Sequence, residues 1–400
     1  MKIRSIHLLS AFICYIPITH SAIYSNEVID KTFNIGDGDS ISSSTITSSG
    51  VLNLTGTAKS NNIIVSDGGV LAINKGSIDT DSSINSGGEQ SVAGLALNTK
   101  VYGTQRVSGQ VENASIDGGY QIVYGVGNVI NTEIINYGVQ YLSGNSENTK
   151  ILEGTQFVQN GGIANNTTLK GLGIQVVESG GIAKNTVLSG KSIQYVRSDQ
   201  VTDTILNDYT SQFIEQGGVA SSTTINSYGA QYIHKGGNAV NTTVNENGEI
   251  QVMGGTLDNA ILNGGILNAE TGEIKGEFKI SDAQVKLGAG IVSEQANINL
   301  GANSNLTLNK STTDNSYKLN NVELSGGAIS FYNSPAVSSN GWNTLTLNDL
   351  SGRGNFYMHT DVAAGRSDLL NVTGTASGSF NLFVEDTGGS PTSADNLLLV

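Results

Sequence analysis

The residues of this sequence that could do chemistry are few and far apart. Beyond residue 22 there are two histidines, His234 and His359, and no cysteine, because the single cysteine is Cys14. A zinc site needs several nitrogen or sulfur ligands together, and a Cys-His nucleophile needs both residue types. We therefore predict that the chain is not an enzyme and that it has no catalytic residues, no metal site and no cofactor.

Two acidic patterns superficially resemble functional sites. The segment Gly36-Asp37-Gly38-Asp39-Ser40 is similar to a calcium loop or a serine-protease loop, but it lacks the partner histidine and the spacing of either. A polysaccharide lyase or hydrolase, the enzymatic alternative, needs two or three acids within reach of one another. Acids such as Glu133 and Glu153 recur without a shared cleft. We predict a turn at residues 36–40 and no catalytic pair.

The composition favours many short strands joined by tight turns. The 400 residues include 51 Gly and only 3 Pro, with 6% aromatic and 14% charged residues, which does not describe ordinary compact domains. At 38% hydrophobic the chain is too apolar and too weakly charged to be disordered.

The first 22 residues have the pattern of a secretion signal. Lys2 and Arg4 make a basic start, residues 6–18 are apolar, and Ser21 and Ala22 offer small residues for cleavage. The apolar stretch is shorter than the roughly 20 residues that span a bilayer. We predict export, with cleavage near Ser21 and Ala22, which changes the net charge from −14 to −16. So acidic a chain is a poor partner for nucleic acid.

Internal repetition dominates the sequence. Glutamines that precede an apolar pair recur at intervals of 15, 16, 19, 16, 19, 19, 18, 19 and 20 residues. They are Gln90, Gln105, Gln121, Gln140, Gln156, Gln175, Gln194, Gln212, Gln231 and Gln251. Such a period indicates a solenoid, and each unit has the pattern strand, Gly-Gly turn, strand, turn. We predict an all-β fold, a single-stranded parallel β-helix with coils of about 19 residues.

The alternation of side chains along a strand assigns each position to the inside or the outside. The position two residues after each anchor is apolar, so it and the anchor point inward. Inward amides can form a hydrogen-bonded ladder along the axis, and we predict one at Gln121, Gln140, Gln156, Gln175, Gln194, Gln212 and Gln231. The intervening position faces outward, which gives a candidate self-association stripe at Tyr141, Phe157, Val176, Tyr195, Phe213 and Tyr232. The alternative is that these rings only stack on one another to stabilise the sheet.

At these residues the sequence resembles the passenger repeats of AIDA-type self-associating autotransporter adhesins. The repeats share Gly-x-Gln-x-Val followed by Gly-Gly-x-Ala-x-Asn-Thr, as in residues 161–167 and 180–186. Downstream, residues 342–347, 352–356 and 366–374 are similar to the pertactin-like region that closes such passengers. The resemblance implies AIDA-type repeats at 85–275 and a pertactin-like region at 276–400, which follow the predicted signal peptide at 1–22 and N-terminal coils or a cap at 23–84. It also implies that Trp342 is a packing residue of the pertactin-like region.

The resemblance implies a protein of the bacterial surface that mediates adhesion, autoaggregation and biofilm formation. Its expected partners are copies of itself on neighbouring cells and an outer-membrane β-barrel translocator. No alternating barrel strands of about ten residues occur in the sequence, so we expect a passenger portion, a truncated reading frame, or a barrel supplied separately. Binding to a host surface protein or a glycan is the alternative function, and a truncated passenger without function is the third.

Overall fold

The computed structural model describes residues 21–309, 313–332, 341–386, 388 and 398–400. Of the predicted signal peptide, only Ser21 and Ala22 lie within the described residues. The backbone N–H of Ala22 donates to Asp39 Oδ1 at 2.8 Å, and Asp39 also accepts from Gly36. The described residues contain no helix long and apolar enough to cross a membrane.

Each regular coil contains three strands, which we name A, B and C, and from Glu89–Val92 onward strand A carries the repeated glutamine. The A strands are Thr32–Ile35, Val51–Leu54, Val70–Ile73, Glu89–Val92, Thr104–Val107, Tyr120–Val123, Val139–Leu142, Thr155–Val158, Ile174–Val177, Ile193–Val196, Ser211–Ile214 and Ala230–His234. The B strands are Ile23–Ser25, Ser40–Ser42, Lys59–Asn61, Ile78–Thr80, Leu95–Leu97, Gln110–Glu112, Asn128–Ile130, Asn145–Glu147, Ile163–Asn165, Ile182–Lys184, Val201–Thr202 and Val219–Ser221. The C strands are Val28–Ile29, Thr45–Ile46, Ile64–Val65, Ser83–Ile84, Lys100–Val101, Ser115–Asp117, Glu133–Ile135, Lys150–Leu152, Thr168–Lys170, Val187–Leu188, Ile205–Leu206 and Thr224–Ile225.

Further along the chain the strands lengthen and run through the corners of the coil. These strands are Asn238–Val244, Glu249–Asn263, Ile266–Ser281, Gln284–Gly301, Asn305–Leu308, Asn315–Ser330, Asn343–Asp361, Arg366–Ser367, Leu369–Val372 and Ala376–Asp386. We continue to call their segments A, B and C by the strand of the preceding coil with which they pair.

Every A, B and C strand pairs in parallel with the same strand of the next coil. For example, Gln140 lies opposite Gln156, and Gln156 lies opposite Gln175. The inward apolar side chains form one continuous core, mostly of Ile, Leu, Val and Ala, with Phe278, Tyr317, Phe331, Phe356 and Met358 in its later coils. The prediction of an all-β, single-stranded parallel β-helix with coils of about 19 residues is confirmed.

The prediction of two strands per coil is wrong, because two residues divide the second strand into B and C. In most coils the first of the two has a positive φ, as at Asn166 and Asn185, both with φ 54°. Asparagine adopts this left-handed conformation more easily than most residues, because its short side chain can hydrogen-bond locally. The chain therefore turns a corner at one left-handed residue, with a second residue before strand C begins.

The Gly-Gly turn between strands A and B needs each glycine for a different reason. Gly161 has φ +80°, a conformation that a side chain would strain. Gly162 has no such φ, but a Cβ there would lie 2.1 Å from the Leu142 carbonyl oxygen of the preceding coil. The first glycine permits the turn, and the second permits the close stacking of consecutive coils.

Candidate contact surface

The glutamine side chains form a continuous hydrogen-bonded ladder inside the solenoid. From Gln105 to Gln231, each amide Nε2 donates to the Oε1 of the glutamine in the preceding coil, at 2.6–2.8 Å. All are completely buried. A buried amide without a partner costs about 1–3 kcal/mol. The ladder satisfies these polar groups and fixes the alignment of the coils. The structure places the seven predicted ladder residues in it, together with Gln90 and Gln105.

The ladder does not continue to the last glutamine of the repeat pattern. Gln251 lies opposite Tyr232, on the outward side, whereas Ile250 lies opposite Gln231. The assignment of Gln251 to an inward anchor is therefore wrong. The observed register buries two apolar side chains, Ile250 and Val252. The predicted register would instead have buried the amide of Gln251 and the thioether of Met253.

At its other end the ladder stops at a buried carboxylate. Asp79 accepts from Gln90 Nε2 at 2.8 Å, from Ser82 Oγ at 2.7 Å and from Ser60 Oγ at 2.5 Å. Because a carboxylate only accepts hydrogen bonds when ionised, it sets the direction in which all the following amides donate. Burial raises the pKa of Asp79 to about 6, although the hydrogen bonds from the two serines oppose the shift.

Two further rows of polar residues follow the same path, and the sequence analysis missed their roles. At the corner between strands B and C, asparagine amides donate from coil to coil, as from Asn148 to Asn131 and from Asn185 to Asn166, both at 3.2 Å. The next residue points inward, and Thr186 Oγ1 donates to Gln175 Oε1 at 3.3 Å. The sequence contained a signal for these rows, namely the repeated Asn-Thr pair. In a strand, such a pair places one polar side chain on the outside of the solenoid and one on the inside.

The outward side of the A strands carries the predicted stripe. We call the stripe, together with the outward first residues of the same strands, the A face. Its third-position residues are Tyr141, Phe157, Val176, Tyr195, Phe213 and Tyr232, and its first-position residues are Val139, Thr155, Ile174, Ile193, Ser211 and Ala230. The rings stack in two groups, with centroids 5.3 Å apart for Tyr141 and Phe157 and 4.9–5.3 Å along Tyr195, Phe213 and Tyr232. The five aromatic side chains are half-buried. The A face is therefore a mostly apolar strip six coils long, with rings in five of the coils and polar side chains at Thr155 and Ser211.

Val176 departs from the expected exposed stripe, since only 6% of it is accessible. It lies between Phe157 and Tyr195 in the parallel register. A valine between two larger rings is covered by them and leaves a depression in the row. Val176 therefore shapes the A face but offers little surface to a partner.

A short row of charges borders the A face. Arg197 Nη1 lies 3.0 Å from Glu178 Oε1, and Arg197 Nε lies 2.5 Å from Glu215 Oε2. The hydrogen bond with Glu215 raises the pKa of Arg197 further above its usual value. With side chains 36–40% exposed, each pair adds only about 0–1 kcal/mol to stability. The main effect of the row is an alternation of charge along the edge of the A face.

The most exposed tyrosines lie outside the predicted stripe, at the corner between strands C and A. Tyr137, Tyr209 and Tyr228 are 76%, 66% and 54% exposed, and each has a positive φ. The rings of Tyr209 and Tyr228 stack with centroids 4.8 Å apart. They provide an internal comparison for the A face, because the two sets of rings occupy the same coils.

No catalytic arrangement emerges among the described residues. The buried pair His359 and Asp368 lies near the end of the solenoid, with His359 Nδ1 3.3 Å from Asp368 Oδ2. Asp368 also accepts from the backbone N–H groups of Asn343 and His359, so it joins neighbouring coils. Near this pair, the half-buried Trp342 packs under the guanidinium of Arg366 at 5.6 Å. Within the described part of the chain, no group of three or more His, Cys, Asp or Glu could hold a metal ion.

The known proteins that this chain resembles in sequence are autotransporters. The Pertactin family model matches residues 319–400. The chain is 37% identical over 137 residues to the probable autotransporter YpjA of Escherichia coli K12, covering 32% of this chain and 9% of YpjA. It is 51% identical over 51 residues to the autotransporter adhesin/invasin TibA of Escherichia coli O78:H11, covering 13% of this chain and 5% of TibA. It is 34% identical over 119 residues to an immunoglobulin A1 protease autotransporter of Haemophilus influenzae, covering 24% of this chain and 7% of that protein. The chain thus spans less than a tenth of the length of each relative.

One solved structure is similar to this fold. It is the crystal structure of a hyper-glycosylated fragment of TibA, residues 55–350, whose glycosylation was catalysed by TibC. The TM-score is 0.59 at 31% sequence identity, and the match covers 63% of this chain and 98% of the fragment. Nearly the whole of that fragment therefore has its counterpart here.

Proposed function

Because this chain is an autotransporter passenger of the AIDA and TibA type, we propose that it is a non-catalytic adhesin that binds a second copy of itself on a neighbouring bacterium. The predicted family is confirmed, and so is the predicted location, since autotransporter passengers are exported and exposed at the cell surface. We further propose that an outer-membrane β-barrel translocator carries it there. Self-association would produce autoaggregation and biofilm.

The observation that carries this proposal is the A face. Of its twelve outward positions over six coils, nine contain tyrosine, phenylalanine, isoleucine or valine, and only Thr155 and Ser211 are the polar residues that a solvated strand would place there. Large contiguous apolar patches on soluble proteins mark interaction sites. A long strip also suits adhesion, because many weak contacts along two rods add up.

The shape and charge of the A face favour an antiparallel pair of rods. A two-fold axis between the coils of Val176 and Tyr195 would place the depression at Val176 opposite the ring of Tyr195 in the second copy. The same axis would bring Glu178 opposite Arg197 of the second copy, so unlike charges meet on both sides of the axis. A parallel arrangement would reverse the strand direction across the interface and place the two charge rows at opposite edges of it, where they do not meet.

The test removes one stacked pair of rings from the A face and one from the corner of the same coils. We expect F213S/Y232S to slow the settling of cells that display the passenger at least about tenfold, because the apolar contact is lost along two of the six coils. Y209S/Y228S removes the other stacked pair and should settle as fast as the wild type. Circular dichroism and thermal melting of the purified passengers verify that both variants fold.

Each outcome assigns the rings a role. Settling of F213S/Y232S at the wild-type rate, with the variant displayed and folded, would mean that the rings only stabilise the sheet. Loss of settling in Y209S/Y228S alone would move the contact to the corner. Cells that carry the translocator without the passenger give the background rate.

A further inference from the structure

We propose that the solenoid carries a second, independent binding site, a groove for a neutral oligosaccharide at the corner between strands B and C. The groove, called here the corner groove, begins near Asn241 and reaches Asp349. It has two adjoining parts of about 460 and 350 Å³, and Glu277 and Lys279 line both. Self-association by the A face does not involve these residues.

Two columns of outward side chains line the corner groove. The column at the corner consists of Asn241, Asn259, Glu277, Asn297, Asn321 and Asp349. The column on strand C consists of Thr243, Ile261, Lys279, Asn299, Glu323 and Ser351. Each column adds one residue per coil, so the groove extends over five strand spacings of about 4.8 Å, or about 24 Å. That is the length of a short oligosaccharide, with about one sugar ring for each coil.

The polar groups of the groove are held in place by one another. Asn297 Nδ2 donates to Glu277 Oε1 at 2.7 Å, and Asn299 Nδ2 donates to Glu323 Oε2 at 2.9 Å. Each amide nitrogen has a second N–H, and each carboxylate has further lone pairs, which remain for a ligand. Alternating donors and acceptors at fixed positions suit the hydroxyl groups of a sugar, each of which both donates and accepts.

The charge and apolar surface of the groove narrow the class of sugar. Three carboxylates, Glu277, Glu323 and Asp349, face one amine, Lys279, so sulfated or carboxylated sugars are repelled. Ile261, which is 43% exposed, provides an apolar surface against which the carbon side of a sugar ring can pack. The combination favours a neutral oligosaccharide.

The test titrates the purified exported chain with chitohexaose, cellohexaose and maltohexaose, and with a heparin hexasaccharide as the anionic comparison. Saturation-transfer NMR and calorimetry are expected to give a Kd below about 1 mM for at least one neutral hexasaccharide and no binding of heparin. I261E should weaken that binding at least about tenfold. N299A/E323A, which removes a hydrogen-bonded pair together, should weaken it as well.

The matched control is I205E, because Ile205 is 37% exposed and lies in the same strand C column, outside the groove. Its binding should equal that of the wild type. Absence of binding by all three neutral sugars, binding of heparin alone, or equal affinity of I261E and the wild type would overturn the proposal. Cells displaying I261E should still settle normally, so failure of the groove and failure of self-association are distinguishable.

Discussion

Replacement of Gln175 by leucine is expected to lower the free energy of unfolding by about 2–4 kcal/mol. Gln175 is fully buried, donates to Gln156 and accepts from Gln194 and Thr186. Leucine is similar in size, but it leaves the Gln194 amide without its acceptor and removes a donor from Gln156. Urea titration followed by circular dichroism measures the change.

The control for this prediction is another glutamine of the same repeat pattern. Gln251 lies on the outward side and donates only to Glu249, its neighbour two residues away, at 3.0 Å. Q251L should change stability by less than about 0.5 kcal/mol, which is usual for a surface substitution. Equal losses in Q175L and Q251L would show that burial in the ladder is not what makes the internal glutamines important.

Replacement of Asp79 by asparagine is expected to stabilise the protein at neutral pH and to have little effect at pH 4. The folded pKa of about 6 exceeds the ordinary value of 3.8, so the folded state holds the proton more tightly than the unfolded state. The stability that Asp79 contributes is therefore complete below about pH 3.8 and is lost as the pH rises through 6. A difference of about two pKa units corresponds to about 3 kcal/mol.

Asparagine keeps the end of the ladder intact, because its Oδ1 can accept from Gln90 while its amide donates to the serine hydroxyls. We expect the stability difference between D79N and the wild type to grow by about 2–3 kcal/mol between pH 4 and pH 7.5. D81N, which changes an exposed carboxylate of the same coil, should retain the pH dependence of the wild type. A constant difference across this range for D79N would contradict the assigned role of Asp79.

Much of the architecture was predictable because every coil must bury the same side of its strands and make the same turns, so the same residue types recur. A recurring glutamine and an apolar residue two positions later assign a strand and its inward side, and glycine pairs assign the turns. The same recurrence identified the family. The proposed boundaries at residues 84 and 275 rest on this resemblance and stay predictions.

The errors arose where a single residue changes the path of the backbone. An asparagine between B and C looks in sequence like part of one strand, and its positive φ is visible only in three dimensions. Gln251 follows the pattern of its predecessors, but burial of Ile250 and Val252 stabilises the other register. Val176 follows the sequence pattern of the stripe, but its burial depends on the rings of the adjacent coils, which the pattern does not show.

The sequence by itself determined the solenoid, its period, the inward and outward positions of its strands and its protein family, because these depend on patterns within one coil. Only the tertiary structure decided what coils make together: the carboxylate at Asp79 that ends the ladder, the stacked rings of the A face and the columns of the corner groove. Asp79 belongs to no repeated glutamine motif, and beyond the Asn-Thr pair at Asn241 the residues that line the groove follow no repeated sequence motif. Stacking in parallel register brings residues 15–28 positions apart in sequence to neighbouring places, which no pattern within a single coil can specify.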